Sequence, residues 1–310
     1  MILFLFLFIY FLLYILFLRY IKKIPINKSN ILSYLKLFFV KIVKMTLIVI
    51  ALISSFIIYQ NKINPVELKT YTLENKVDKR TIQFQEMAHL ASPSFYETVK
   101  NKIKKEKTNS WILYFEWVKP AENPENLEKF NSLMWIQFGK ETYKELNLLY
   151  GLKAQNNEEF LNLINEKDYQ ADVSFDDIIS YFEKNKYPII NYKDSKPIDI
   201  TPVLKEFKEK YSFAIPVIQQ YNQSLINFMI KHSWLREFVM KKINKEDFFD
   251  IIINYRSEFL AKEVVKNKQD KNIFIIYGME HFKSFFNYLN ELDDNNWKLI
   301  KVENTQLIKN

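Results

Sequence analysis

The sequence predicts an α/β domain: a central, mostly parallel sheet with flanking helices and a helical insertion, preceded by N-terminal transmembrane helices. Three observations lead there. A strand–helix–strand run occupies positions 81–117, a second occupies 272–303, and two long apolar stretches lie ahead of Asn61.

In the first run, "TIQFQ" and "WILYFEW" (111–117) are short apolar and aromatic segments bounded by polar residues, the signature of buried strands. Between them "SPSFYETVKNKIKK" starts with Ser92 as N-cap and Pro93 at the first helical position, where its missing N–H costs nothing. This spacing predicts a βαβ unit and a parallel pair. The charge-rich "NKIKKEK" is its solvated face.

The middle of the chain reads as helical. "ETYKELNLLYG" ends on Gly151, a C-terminal signal. "SFDDIISYFEKNK" opens with Ser174 and carries Asp177 three residues on, a capping-box spacing. "TPVLKEFKEKY" opens with Thr201 and Pro202, and from about 216 to 266 the pattern stays helical, with Phe248, Ile252, Tyr255 and Phe259 on one face. "NIFIIYG", "HFKSFFNYLNEL" and "NWKLIKVEN" then read as strand, helix and strand.

The apolar stretches explain the basic balance. The 310 residues carry a formal charge of +8. Residues 1–60 hold seven basic side chains and no acidic one, leaving 37 basic against 36 acidic in the rest. A nearly neutral body gives no cationic face for nucleic acid. "MILFLFLFIYFLLYILFL" runs from Met1 to Leu18 without a charge, close to the roughly 20 residues that cross a bilayer. A Lys-rich segment and a second apolar stretch, "MTLIVIALISSFIIYQ", follow. The expected organisation is a membrane anchor over 1–60 with candidate spans 1–19 and 42–60, a tether over 61–77, and one α/β domain over 78–310. The Lys-rich loop at 21–40 belongs on the cytoplasmic side and 61–310 outside. A start at Met45 would leave one span and the same side for the body. A signal peptide is the competing reading, but the exit "SSFIIYQNKINP" carries no small-x-small cleavage pattern. Cysteine is absent, which excludes disulfides, thiolate metal ligands and thiol nucleophiles.

Of three histidines, two fall at matching places. His89 lies between the strand "TIQFQ" and the helix capped by Ser92; His281 follows the strand "NIFIIYG". Glu116 ends "WILYFE". In an open parallel sheet such strand ends share one edge, where side chains that do chemistry collect. Two imidazoles and one carboxylate are a common set for a divalent transition metal. The competing reading makes each a turn residue bonded to backbone. His232, in a helical stretch without a partner pattern, is structural.

"IQFQEMAHLASPSFYETV", "LYFEWV", "GLKAQ", "ADVSFDDI", "NYRSEFLAKEV" and "IFIIYGMEHFKSF", in this order, resemble the TraB/PrgY/GumN family, which includes membrane-tethered Tiki-type metalloproteases. The resemblance covers roughly 75–305. It implies a second Gly-x-x-His motif at Gly278–His281, a first histidine at His89, a glutamate at Glu116 and an arginine at Arg256. Glu86 stands where the first motif begins with glycine, Trp117 follows the glutamate where glycine is usual, and Ala91 and Ser284 replace further glycines. Glu86 in a left-handed conformation would cost about 1–2 kcal/mol, and Glu86 and Trp117 are expected to narrow the pocket.

The implied function is a membrane-anchored, extracytoplasmic metal-dependent hydrolase acting on a peptide or protein. His89, His281 and Glu116 would hold a divalent ion of the manganese, cobalt or zinc type, and Arg256 would bind the developing oxyanion or a substrate carboxylate. Alternatively Glu116 is the general base and the histidines alone hold the ion. The competing role for Arg256 is a salt bridge to Glu116 or Glu258 that orders its helix. The alternative function is a catalytically inactive peptide-binding or regulatory protein of the same fold. A haem or iron module has no ligand pattern beyond the two histidines.

Overall fold

The computed structural model describes residues 31–134, 140–155, 157–187, 198–232, 246–267 and 272–308, with Trp234, Phe238 and Lys241 between. The chain divides into two compact units, 1–59 and 60–310.

The described part of the first unit is helical. Helix α1 (Ile31–Ile63) contains a 26-residue stretch, Phe38–Ile63, of mean hydropathy 2.3, long and apolar enough to cross a membrane. At 1.5 Å per residue that stretch reaches about 39 Å, more than the roughly 30 Å hydrocarbon core. Leu47, Ile50, Leu52 and Phe56 are each more than half exposed, as suits lipid rather than water. The helix begins inside the loop expected at 21–40, because residues 31–40 are themselves mostly apolar and continue the helical pattern. The expected span at 1–19 lies outside the described residues.

In the second unit the sheet contains strands β1 (Glu67–Asn75), β2 (Thr81–Met87), β4 (Ile112–Phe115), β6 (Tyr169–Gln170), β7 (Ile273–Gly278) and β8 (Trp297–Gln306), in the spatial order β6-β4-β7-β2-β1-β8. Short strands β3 (Leu90–Ala91) and β5 (Lys153–Ala154) pair separately. Strands β6, β4, β7 and β2 are mutually parallel; β1 runs antiparallel to β2 and to β8. The α/β class with a mostly parallel sheet is therefore as the sequence predicts, and its three apolar strands are neighbours. Strands β2 and β4 do not pair directly, however: β7 inserts between them from the far end of the chain.

The expected tether contains β1. Its burial alternates, with Leu68, Thr70 and Thr72 inward, but much of that inward face is threonine, so the hydrophobic period is faint.

Helices cover both faces. Helix α2 (Pro93–Thr108) starts on Ser92, whose hydroxyl accepts from the Phe95 N–H at 3.4 Å, and buries Phe95, Val99 and Ile103 against Leu113, Phe274 and Ile276. On the other face, Leu260, Ala261 and Val264 of a helix at Glu246–Lys266 and Phe285 and Leu289 of a helix at Phe282–Leu292 pack on Ile82, Phe84 and Ile275. The insertion is helical: α3 (Pro124–Met134), α4 (Lys140–Tyr150), α5 (Asn157–Leu161), α6 (Phe175–Lys184), α7 (Thr201–Lys210) and α8 (Ile215–Lys231) precede α9 (Glu246–Lys266) and α10 (Phe282–Leu292). Gly151 ends α4 with φ +61°, and Ser174 and Asp177 form the full capping box of α6. At α7 the capping acceptor is Asp199, which receives the Thr201 N–H at 2.9 Å, while the Thr201 hydroxyl pairs with Thr142. Ile252, Tyr255 and Phe259 do share one face of α9, packing beside Ile178 and Phe182; the side chain of Phe248 lies outside the described residues.

Candidate functional site

The carboxyl ends of β2, β4, β6 and β7 lie along one edge of the sheet. Parallel pairing sets Met87 opposite Gly278 and Phe115 opposite Ile276, and the Glu116 N–H extends the ladder to the Ile276 carbonyl at 3.1 Å. Glu116 and the Gly278–His281 turn are thus side by side although far apart in sequence.

Glu116 is held at both oxygens. Oε1 accepts from Arg256 Nη2 at 2.6 Å, and Oε2 accepts from the Gly278 N–H at 2.5 Å. Gly278 serves close approach rather than an unusual φ. A Cβ there would stand 3.2 Å from Glu116 Oε2 and 3.4 Å from His281 Cδ2.

Arg256 projects from α9 into the same place. Its Nε and Nη2 clasp the fully buried Asp172, just past β6, at 2.9 and 2.7 Å, and its guanidinium lies over the Tyr277 ring. Asp172 also accepts from the Val173 N–H. Of the two salt-bridge partners expected for Arg256, Glu116 is used and Glu258 is not; Glu258 pairs with Lys262. This fork geometry suits a guanidinium and not an ammonium.

His281 is buried, 5% exposed. Its Nδ1 lies 3.0 Å from Ser257 Oγ, the Ile253 carbonyl also hydrogen-bonds the ring, and Tyr277 packs edge-on against it. Its Cδ2 lies on the Gly278 side, 3.4 Å from where a Cβ on that glycine would stand. His89 is exposed between β2 and β3, near enough for its charge to act on both Glu116 and His281. His232 caps α8, stacked on Phe228 with Nδ1 2.8 Å from the Phe228 carbonyl, a structural role.

The electrostatics set two protonation states. Burial alone would raise the Glu116 carboxyl, but Arg256, with His281 and His89, more than offsets it and holds the group down to about 2. Burial, reinforced by the Arg256 charge, pushes the His281 imidazole down to about 4. At neutral pH the edge therefore presents an ionised carboxylate, a neutral imidazole and a permanent cation. Arg256 keeps its proton because Tyr277, Glu116 and Asp172 outweigh the cost of burial.

A divalent ion is the group the sequence implies here. Of the residues implied to hold it, His281 has Nδ1 anchored on α9 through Ser257, the kind of support that orients an imidazole ligand, and His89 is exposed at the same edge. Glu116 suits a third ligand less well, since the Arg256 guanidinium at 2.6 Å competes with any cation. Among the described residues no group of three or more His, Asp or Glu stands in a metal-holding arrangement.

Glu86 is not strained. It lies within β2, absent from the positive-φ residues, and its buried carboxylate points to β1, accepting from the Lys69 N–H at 2.7 Å and the Tyr71 hydroxyl at 3.0 Å. The cost of a left-handed conformation therefore does not arise: side-chain bonds tie Glu86 into the sheet. Glu86→Gly removes two part-buried hydrogen bonds and adds backbone freedom. We expect it to lower stability by about 1–3 kcal/mol in urea unfolding. Trp117, 38% exposed, does border a tight recess of about 10 Å³ with Glu116, Phe160 and Leu161, room for a single water at most.

Asp172, Ser257 and Tyr277 are the residues that sequence reasoning missed. Asp172 precedes the capping box of α6 and reads as loop. Only its position after a two-residue strand, too short to be seen as a strand, marks it. Comparison with protein-family models, curated proteins and solved structures finds no match.

Proposed function

We propose that this chain is a membrane-anchored hydrolase whose body works outside the cytoplasm on a peptide or protein, with a divalent ion held by His281 and His89. The observation that carries the reading is the convergence of Glu116, His281 and Arg256 at one sheet edge, each in the protonation state that hydrolysis needs. When bound, the ion supplies Lewis acidity and a water of lowered pKa. Glu116, ionised and fixed by Arg256 and the Gly278 N–H, accepts a proton at its free lone pairs. The Arg256 fork, oriented by Asp172, stabilises negative charge that develops beside it. Helix α1 supports the anchor, and the basic residues before its apolar stretch support the cytoplasmic side for residues 21–40.

The inactive, peptide-binding reading has its own support: the recess at Glu116 is small and each carboxylate oxygen already accepts one hydrogen bond. Metal analysis of the purified full chain separates the two. Near-stoichiometric Mn, Co or Zn, lost in His281→Ala and His89→Ala while circular dichroism is retained, supports the hydrolase. A metal-free, stably folded wild type defeats the metal-dependent reading.

A further inference from the structure

We infer that two copies of this chain pair through β8, antiparallel about a two-fold axis at Val302, so that their sheets join edge to edge. The sheet ends on one side at β6, two residues long, and on the other at β8, ten residues long. Among the described residues β8 pairs with β1 alone. Leu299, Ile300 and Val302 on this outer strand are 45%, 49% and 44% exposed. The outer backbone is open as well. The Leu307 N–H bonds the Val66 carbonyl, so in an antiparallel ladder Thr305 and Glu303 also turn toward β1, while Val302 and Asn304 turn N–H and C=O outward. A row of such groups is a template for another strand. The register shift between Thr72 and Leu73 leaves Ile300 without a partner on β1, and this bulge closes the regular stretch at that end.

Charge selects both the partner and the register. A two-fold axis that pairs two β8 strands stands perpendicular to the sheet and keeps each face on its own side, so residues set opposite each other differ by an even number of positions. Lys301 and Glu303 lie opposite Thr72 and Thr70, on the face where Lys102 of α2 reaches Thr70. Val302 lies opposite Tyr71, on the face where Tyr71 stacks on Phe282 of α10. An axis at Lys301 would set lysine against lysine, and one at Glu303 glutamate against glutamate. An axis at Asn304 would set Glu303 against a neutral threonine. Only the axis at Val302 sets Lys301 opposite the partner's Glu303, and Glu303 opposite the partner's Lys301. Both fall at positions that do not bond across the new pair, where Cα atoms are about 4.5 Å apart and side chains come closest. Within one copy Lys301 Nζ already meets Glu303 Oε1 at 2.7 Å, with both side chains exposed. Pairing closes these into a ring of four alternating charges. On the other face Val302 meets the partner's Val302, and their outward N–H and C=O groups exchange hydrogen bonds. Lysines and a bulge can also keep an edge strand single. Glu303, two positions from Lys301, is what makes this edge complementary to itself.

Because the sequence has no cysteine, a single introduced one reports position cleanly. In the proposed pair Val302→Cys stands about 5.5 Å from its twin between Cα atoms, within the reach of a disulfide. Lys298→Cys, on the same strand, stands about 27 Å from its twin at about 3.4 Å per residue. Oxidation of the detergent-solubilised full-length chain should therefore yield a disulfide-linked dimer from Val302→Cys and little from Lys298→Cys. Sedimentation of the cysteine-free chain should show a dimer whose dissociation constant rises about tenfold or more in Lys301→Glu and in Glu303→Lys. The double exchange, Lys301→Glu with Glu303→Lys, should restore the dimer, because the opposite charges meet again. Restoration also separates lost pairing from lost folding, with circular dichroism recorded on each variant. Equal disulfide yields from the two cysteine positions, or a wild type that sediments as a monomer throughout, overturn the inference. So does a dimer indifferent to Lys301→Glu, or a folded double exchange that stays monomeric.

Discussion

Arg256→Leu is expected to lower the unfolding free energy of the body by about 3–5 kcal/mol, measured by urea unfolding of the detergent-solubilised chain. The guanidinium is buried and is the shared partner of two carboxylates, Asp172 at 2.9 and 2.7 Å and Glu116 at 2.6 Å. Asp172 is fully buried, so removing the cation leaves a buried carboxylate without its counter-charge. The loss comes from what remains behind rather than from the value of the pair itself. Arg256→Leu with Asp172→Leu should therefore be more stable than Arg256→Leu alone. Arg256→Lys should recover only part of the loss, because an ammonium cannot serve both Asp172 oxygens in one plane while reaching Glu116. A single-variant loss below about 1 kcal/mol, the range of an exposed ion pair, would show that the cluster is open to solvent and not the fixed scaffold described here.

The second large effect is on pH. His281 has its pKa lowered from 6.5 to about 4 in the folded state. Between those values the unfolded chain binds a proton that the folded one refuses, so stability is whole above the upper value and falls as pH drops to the lower. At 1.36 kcal/mol per unit the shift corresponds to about 3 kcal/mol. Glu116 is lowered from 4.5 to about 2, and its contribution is likewise present above 4.5 and lost toward 2, by a similar amount. The two windows follow one another, giving a steady decline from about pH 6.5 downward. His281→Gln should flatten the upper part of that decline and leave the lower part. A wild-type profile flat across the histidine window would mean that the imidazole is hydrated and titrates as in a peptide.

Much of this fold is legible in the residues, because the strands at 112–115 and 273–278 are buried on both faces and so largely apolar, and the strand at 81–87 alternates Ile82, Phe84 and polar residues before Met87. Ser92, Gly151 and the Ser174–Asp177 box mark helix ends by local chemistry, which needs no tertiary context. Strand β1 is hidden because its inward face is largely threonine, and β6 because it is two residues long. The insertion of β7 between β2 and β4 is a long-range pairing that no local pattern encodes. At the site, Glu116, Arg256 and the Gly278–His281 turn are legible from strand ends and motif order. Asp172 is not, since nothing near it in sequence foretells an arginine on the distant helix α9. Glu86 illustrates the converse limit: a residue standing where glycine is expected suggests strain, and only the pairing of β1 shows its carboxylate bonded into the sheet.

The measurement that bears most directly on the hydrolase reading is turnover of a broad peptide library, free and membrane-tethered, by the full-length chain with added Mn, Co or Zn, followed by mass spectrometry. Discrete cleavage products are expected, with the rate reduced about 10²- to 10⁴-fold in Glu116→Gln, which removes the proton acceptor but keeps the side chain's size. Products formed equally by wild type and Glu116→Gln, or none from the wild type in either format, would contradict it.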